Sequence, residues 1–194
     1  LIQLQHPNFG ESNSIDDLIP ASPEFISPVT KDPEFTHVLP RIESFALAAA
    51  KEKSKGVMVI GIAPELEDSY AKLSEKVIQG HYLNPEDQEV LVGESLARHM
   101  NLSVGDELVL YGQGYRGQTA AGLFKVAGLI SFPIPQLENQ LVYIPLEQAK
   151  LMFSTDNQIT NWVIHVEDLN DLDRKVKELK DAFGSDVRVR DWRD

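Results

Sequence analysis

Apolar and polar positions alternate through NWVIHVED (Asn161–Asp168), and that spacing predicts a half-buried strand. The clearest helical period follows it. In DLDRKVKELKDAFG the residues Leu172, Val176, Leu179 and Phe183 share one stripe, and Gly184 stops the helix. DVRVRDW then reads as a closing strand, and upstream Pro145 is placed to start a helix continued by EQAKLMF. Between Asn84 and Pro145 the pattern shortens to EVLVG, DELVLYG, LFKVAGLI and LVYIP, apolar runs separated by glycine- or proline-bearing loops. GESLARHMNL breaks that series as a helix turning Leu96, Ala97 and Met100 inward.

The first third is punctuated by proline. LIQLQHPNF opens as a strand, and Ser14 is placed to cap a short helix holding Ile15, Leu18 and Ile19, limited by Pro20. FALAAAKEK has helical composition, yet GVMVIGI (Gly56–Ile62) is plainly a strand. We expect strand-turn-strand across them, with EKSKG as the turn. Asp68–Gln79 is expected as a helix with Tyr70, Leu73 and Val77 on one face and Gly80 at its end. The fold class expected is therefore α+β: an α/β unit split in sequence by a small β-rich insertion, resembling a partly open barrel. The boundaries expected are 1–83, 84–150 and 151–194.

Charge narrows the functions available. The 194 residues carry a net charge of −12, which argues against nucleic acid as a partner, since phosphate-backbone binding needs clustered Lys and Arg. The tight basic runs, Lys51–Lys55 and the helix around Lys175–Lys180, are interleaved with acids or near a turn and read as solvated surface. The absence of cysteine excludes disulfides, thiol catalysis and zinc-thiolate sites. The longest plainly apolar run, Phe45–Ala50, is far shorter than the roughly 20 residues that cross a bilayer. The chain begins inside a strand and stops abruptly after VRVRDWRD, as a segment excised from a larger protein would.

Local chemistry is absent from the pattern. His6, His37, His81, His99 and His165 form no metal-binding spacing, and His165 reads as a hydrogen-bonded structural residue in its strand. EDLNDLD lacks the turn glycine and two ligands of a calcium loop, and its acids suit the following helix N-terminus. GQGYRG (Gly112–Gly117) is followed by a strand where a phosphate loop needs a helix, so it reads as a hairpin or surface loop. Ser95 in GESLA lacks the second glycine of a nucleophile elbow. No enzyme activity is expected.

The order of the pieces carries more than any one of them. GIAPELE (61–67), VIQGHYL (77–83), VLVGESLARHMNLSVGDELVLYG (90–112), FKVAGLI (124–130), LVYIPLEQAKLMF (141–153) and DVRVRDW (186–192) follow one another. Together they resemble the MacB-like periplasmic core domain of ABC-transporter permeases of the FtsX, MacB and LolC/LolE type. The resemblance covers roughly Gly56 to Trp192. It implies a porter subdomain interrupted by a β-rich Sabre subdomain at 84–150, set between two membrane helices. Leu1 and Asp194 should then emerge on the same side. In this frame Val90–Tyr111 is scaffold, with Gly105 allowing the corner before Asp106 and Leu96, Met100, Leu108 and Leu110 supplying core.

By the same resemblance the domain holds no cofactor, and ATP is used by a separate cytoplasmic ATPase subunit or domain. The partners implied are that ATPase, a second permease in a homo- or heterodimer, and a lipoprotein or envelope partner. The place implied is the extracytoplasmic, periplasmic side of the inner or cell membrane. DWRD is closest to the LolC/LolE branch, but Gly112–Gly122 lacks the proline and basic residues of that branch's chaperone-capturing hook. The alternative is a free-standing soluble ligand-binding α/β protein with a pocket between its subdomains. The contact residues expected are Tyr115 and Arg116 in the first loop, and Phe132, Ile134, Pro135 and Leu137 in SFPIPQLENQ, whose prolines disfavour interior pairing. The two loops are expected to serve one contact surface.

Overall fold

The longest strand, β3 (Phe35–Ala50), changes partners halfway along. The computed structural model to which it belongs describes residues 1–11, 15–132 and 139–194. From Phe35 to Arg41, β3 pairs antiparallel with β11 (Asn161–Val166), beyond which lie β1 (Ile2–Gln5) and β12 (Arg188–Asp191). From Arg41 to Ala50 it pairs with β4 (Lys53–Ile62), while Leu47–Ala49 also pair with β7 (Glu107–Gln113) on the other edge. β4 continues in parallel to β9 (Leu141–Pro145), and β9 runs antiparallel to β6 (Glu89–Gly93). β6 lies parallel to β8 (Thr119–Ile130), which returns antiparallel to β7. The strands β3–β4–β9–β6–β8–β7 thus close a ring.

The strands read between Asn84 and Pro145 form, and they close into a ring by recruiting β3 and β4 from the first third. Closure removes exposed edges that the short strands would otherwise carry. Pro40 sits in β3 without cost to the ladder. It faces Trp162 of β11, and β4 pairing begins only at the next residue, so one edge of Pro40 is unpaired. The β3–β4 connection is Lys51–Glu52, with Lys51 at φ 56°, a tighter turn than EKSKG.

Side chains alternate across the ring wall. Ala48, Val59, Val92, Leu110, Phe124 and Val142 are buried in the main core. Helix α3 (Glu94–Met100) adds Leu96, Ala97 and Met100, and α4 (Leu146–Phe153) adds Leu146, Ala149, Met152 and Phe153. Each large apolar side chain fully buried this way contributes about 1.5–3 kcal/mol. Helix α4 sits close to β4 because Gly61 has no side chain: a Cβ there would lie 2.4 Å from the Ala149 Cβ. The open sheet is covered by α1 (Pro23–Thr30) and α5 (Leu172–Phe183), whose Phe25 and Phe183 rings are 5.2 Å apart. A smaller cluster of Ile60, Ile62, Leu73, Leu83, Leu91 and Ile130 packs outside the ring.

Four expectations need correction. The helix over Asp68–Gln79 is instead α2 (Pro64–Ala71), ended by Lys72 in the left-handed region at φ 52°, then a 3-10 turn and strand β5 (Val77–Gly80). The edge of β8 recruits that strand, and Gly80 packs on its backbone, where a Cβ would meet the Ala127 carbonyl oxygen. Ser14 lies outside the described residues, and Ile15–Ile19 form no helix: Ile19 lies in β2 (Ile19–Pro20), paired with β10 (Gln158–Ile159). Lys175 is not solvated surface but 2% exposed, because its ammonium finds Asp32 at 2.6 Å and Glu34 at 3.2 Å while lying over the Phe35 ring. Of the boundaries, 83/84 falls in the loop after β5, yet β5 pairs with β8 beyond it, and 150/151 falls inside α4. Ile2 of β1 pairs opposite Asp191 of β12, so the first and last strands bring the chain in and out at one end.

Candidate functional site

Tyr115 and Phe132, described apolar residues of the two loops singled out by sequence, pack against different core clusters. The β7–β8 connection is a hairpin with a 3-10 turn at Tyr115–Gly117. Gly114 is pressed against Phe153, whose carbonyl oxygen would be 2.9 Å from a Cβ. Arg116 takes φ 56°, its backbone N–H donates to Asp16 Oδ1 at 2.6 Å, and its guanidinium lies 5.2 Å from the Tyr115 ring centre. Tyr115 itself is half-buried against the main core. Phe132 is half-buried too, packed in the smaller cluster with its ring 5.9 Å from that of Tyr143. Ile134, Pro135 and Leu137 lie outside the described residues. Tyr115 precedes the start of β8 and Phe132 follows its end. Twelve residues of β8, at up to about 3.3 Å each, thus lie along the chain between Tyr115 and Phe132.

A different surface is exposed and apolar. On the outside of the ring, Phe45 and Leu47 of β3, Tyr111 of β7 and Leu123 of β8 are 58%, 45%, 50% and 50% exposed. Leu47 faces Tyr111, and Val109 faces Leu123, in direct cross-strand register. Tyr111 and Leu123 themselves line a shallow groove with Ala49, Gly105, Asp106, Glu107 and Val109. Sequence reasoning missed this face, although a signal was present. FALAAA is apolar in both phases of a strand, the mark of a strand buried on both sides, and here only one side is covered.

Three further groupings have structural geometry. Arg41 of β3 donates through Nε and Nη2 to both carboxylate oxygens of Glu67 at 2.7 and 2.8 Å, and Glu67 is 3% exposed. Beside this fork, burial pushes the Glu43 carboxyl up against the pull of Arg41, and pushes the Tyr143 phenol up to about 12. Thr160 Oγ1 accepts from the Glu43 backbone N–H at 2.8 Å and donates to the Arg41 carbonyl at 3.1 Å. The cluster ties α2 to β3 and β11. A saturated bidentate pair offers no free base.

The second cluster joins histidines that no local spacing could connect. His37 of β3 and His165 of β11 are opposite one another, with ring centres 6.0 Å apart, and Tyr70 of α2 lies 5.2 and 5.3 Å from them. The Nδ1 atoms of both histidines are buried without a hydrogen-bond partner. His165 is therefore held by ring packing, not by the ring hydrogen bonds expected of it. Burial, with His37 adding to it, holds its pKa below the ordinary histidine value. The third cluster is a hollow at the carboxyl ends of parallel β4 and β9, lined by Ala63, Pro64, Leu66, Pro85 and Leu146 with Glu65 and Glu147 beside them. Its carboxylates disfavour anions, and its walls offer few polar groups to orient a ligand. Among the described residues, no three His, Asp or Glu side chains gather as a metal site.

Comparison with known proteins places these features in a family. The family model of the MacB-like periplasmic core domain matches residues 5–182. The lipoprotein-releasing system transmembrane protein LolC of Neisseria meningitidis serogroup B is 24% identical over 163 residues, covering 79% of this chain and 39% of that protein. LolC of Xylella fastidiosa strain 9a5c is 25% identical over 169 residues, covering 83% of this chain and 40% of the relative. The chain thus spans well under half the length of the curated relatives it matches. The periplasmic region of MacB from Actinobacillus actinomycetemcomitans superposes with a TM-score of 0.65 at 17% identity, covering 98% of this chain and 87% of that one. The extracellular domain of the ABC-type transporter YknZ from Gram-positive bacteria gives 0.65 at 16% identity, covering 98% and 99%. These two likenesses establish a shared mixed α/β fold.

Proposed function

Because the chain belongs to the MacB-like periplasmic core domain family, we propose that it is the extracytoplasmic domain of an ABC-transporter permease, coupling cytoplasmic ATP hydrolysis to export or lipoprotein release in the cell envelope. The family is one of transporter permease domains, and no helix among the described residues is long and apolar enough to cross a membrane. The observation that carries the reading is the antiparallel pairing of β1 with β12, Ile2 opposite Asp191. A domain set between two membrane helices must receive and return the chain at one end, and this pairing does so.

In this role the domain transmits force and performs no chemistry. β3 serves both the open sheet and the ring, so a displacement at the β1–β12 end is carried along one continuous strand of 16 residues. The open sheet corresponds to the porter part and the ring to the Sabre-like part. The partners proposed are a separate ATPase subunit or domain, a second permease, and a lipoprotein or other envelope partner. No cofactor is assigned to the domain itself. Tyr115 and Arg116 at the hairpin tip, and the segment of Phe132, Ile134, Pro135 and Leu137, serve as two separate contact regions. Deleting residues 1–194 from the full permease should abolish transport while ATP turnover by its ATPase persists, and the isolated chain should hydrolyse no ATP. Transport that survives the deletion, or magnesium-dependent ATP turnover by the isolated chain, would refute the proposal.

A further inference from the structure

We infer that His37 and His165 form a two-histidine site for a divalent transition-metal ion of the zinc type, clasping β3 to β11 where α2 covers the open sheet. The inference goes beyond the permease reading and does not depend on it. It starts from two nitrogen atoms. The Nδ1 atoms of both rings are buried and find no hydrogen-bond partner among the described residues. Buried polar atoms in native proteins are nearly always paired, and an orphan marks a missing ion or water, strain or a functional role. Here two orphans belong to residues directly opposed across antiparallel strands. Just beyond them the register shifts: His165 pairs with His37 but Val166 with Phe35, so Thr36 is the extra residue of a bulge. Bulges re-aim side chains and gather next to functional sites.

The ring spacing suits a shared ion. A zinc–imidazole bond of about 2.0–2.1 Å puts the metal about 3.2 Å from the ring centre. Two imidazoles on one metal then stand about 4.5–6.4 Å apart, from a right angle at the metal to a straight line. The observed separation is 6.0 Å. A direct N–H···N bond would need the ring centres about 5 Å apart, and neither Nδ1 makes one. Tyr70 walls the pair, its ring 5.2 and 5.3 Å from the two imidazoles. Both histidines are only half-buried, which leaves an ion a way in. Ligand type selects the ion. Imidazole suits zinc, copper and nickel, whereas calcium and magnesium take oxygen ligands. An ordinary histidine is mostly neutral at pH 7, the form that binds metal. Water completes the coordination, since among the described residues no third His, Asp or Glu joins the pair. The net charge of −12 favours the approach of any cation.

The test uses the metal-free 194-residue chain, its amino terminus acetylated so that no amine competes as a ligand. Its Tm should rise by about 3–10 °C in about 1 mM Zn2+, as a dissociation constant of about 10–100 µM requires, and stay unchanged in Mg2+. Measured against their own metal-free Tm, His37→Gln and His165→Gln should each lose the rise. His81→Gln, at an exposed ring 3.0 Å from Glu89, and His6→Gln, 3.6 Å from Asp17, should keep it. Nuclear magnetic resonance of the unsubstituted chain gives a reading that no folding defect can obscure. Zn2+ should shift the ring nitrogens of His37 and His165 before those of His6, His81 and His99. A Tm indifferent to Zn2+, a rise that survives either substitution, or surface histidines that respond first would each overturn the inference. The permease reading stands apart from all three results, since the deletion experiment tests it.

Discussion

Glu67 and Arg41 show what one residue can do in the interior. Burying either charge alone costs several kcal/mol, and the bidentate geometry offsets that cost only while both are present. Glu67→Gln should destabilise the fold by about 3 kcal/mol, read as a lower urea midpoint with unchanged slope. Replacing both partners, Arg41→Met with Glu67→Leu, should recover most of that loss, because no charge is then left unpaired. His165 supplies the pH dependence. Its folded pKa is lowered, first by burial, so the folded state prefers the neutral imidazole. Its stability contribution is complete above the unfolded value near 6.5 and is lost as pH falls from there through the folded pKa. Thermal melts between about pH 7.5 and 5 should show a decline that His165→Asn flattens.

At the scale of elements, strands and helices followed local pattern wherever one face met a single environment. The stripe of α5 was legible because its buried positions recur at the helix period, whereas β11 was legible as a strand but is buried on both faces from Asn161 to Ile164 and not half-buried as its alternation predicted. Asp68–Gln79 misled because Tyr70, Leu73 and Val77 keep helical spacing while the backbone passes from α2 through a 3-10 turn into β5. The docking of α4 on β4 depends on the space at Gly61. Gly61→Ala drives a methyl towards the Ala149 Cβ and should cost about 1–3 kcal/mol by thermal unfolding. Gly56→Ala, a glycine of the same strand with open space where its Cβ would lie, should be neutral or stabilising by about 0.5 kcal/mol.

For the molecule as a whole, the sequence alone determined the element types from Glu89 onward, the lack of local catalytic spacing, and, through the order of its blocks, the family. Those properties depend on residues near one another in the chain, where periodicity, turn chemistry and spacing act. Only the tertiary structure decided that β3 serves two sheets, that the β-rich stretch closes through β3 and β4, and that His37 meets His165, 127 residues of chain lying between them, in register. It also packed Tyr115 and Phe132 against different core clusters and left Phe45 and Tyr111 on the outside. FALAAA is apolar in both strand phases, so nothing local chooses which phase faces the core. Ring closure chooses it, by long-range hydrogen bonds between strands that share no sequence signal, and the same closure leaves the other phase open to solvent.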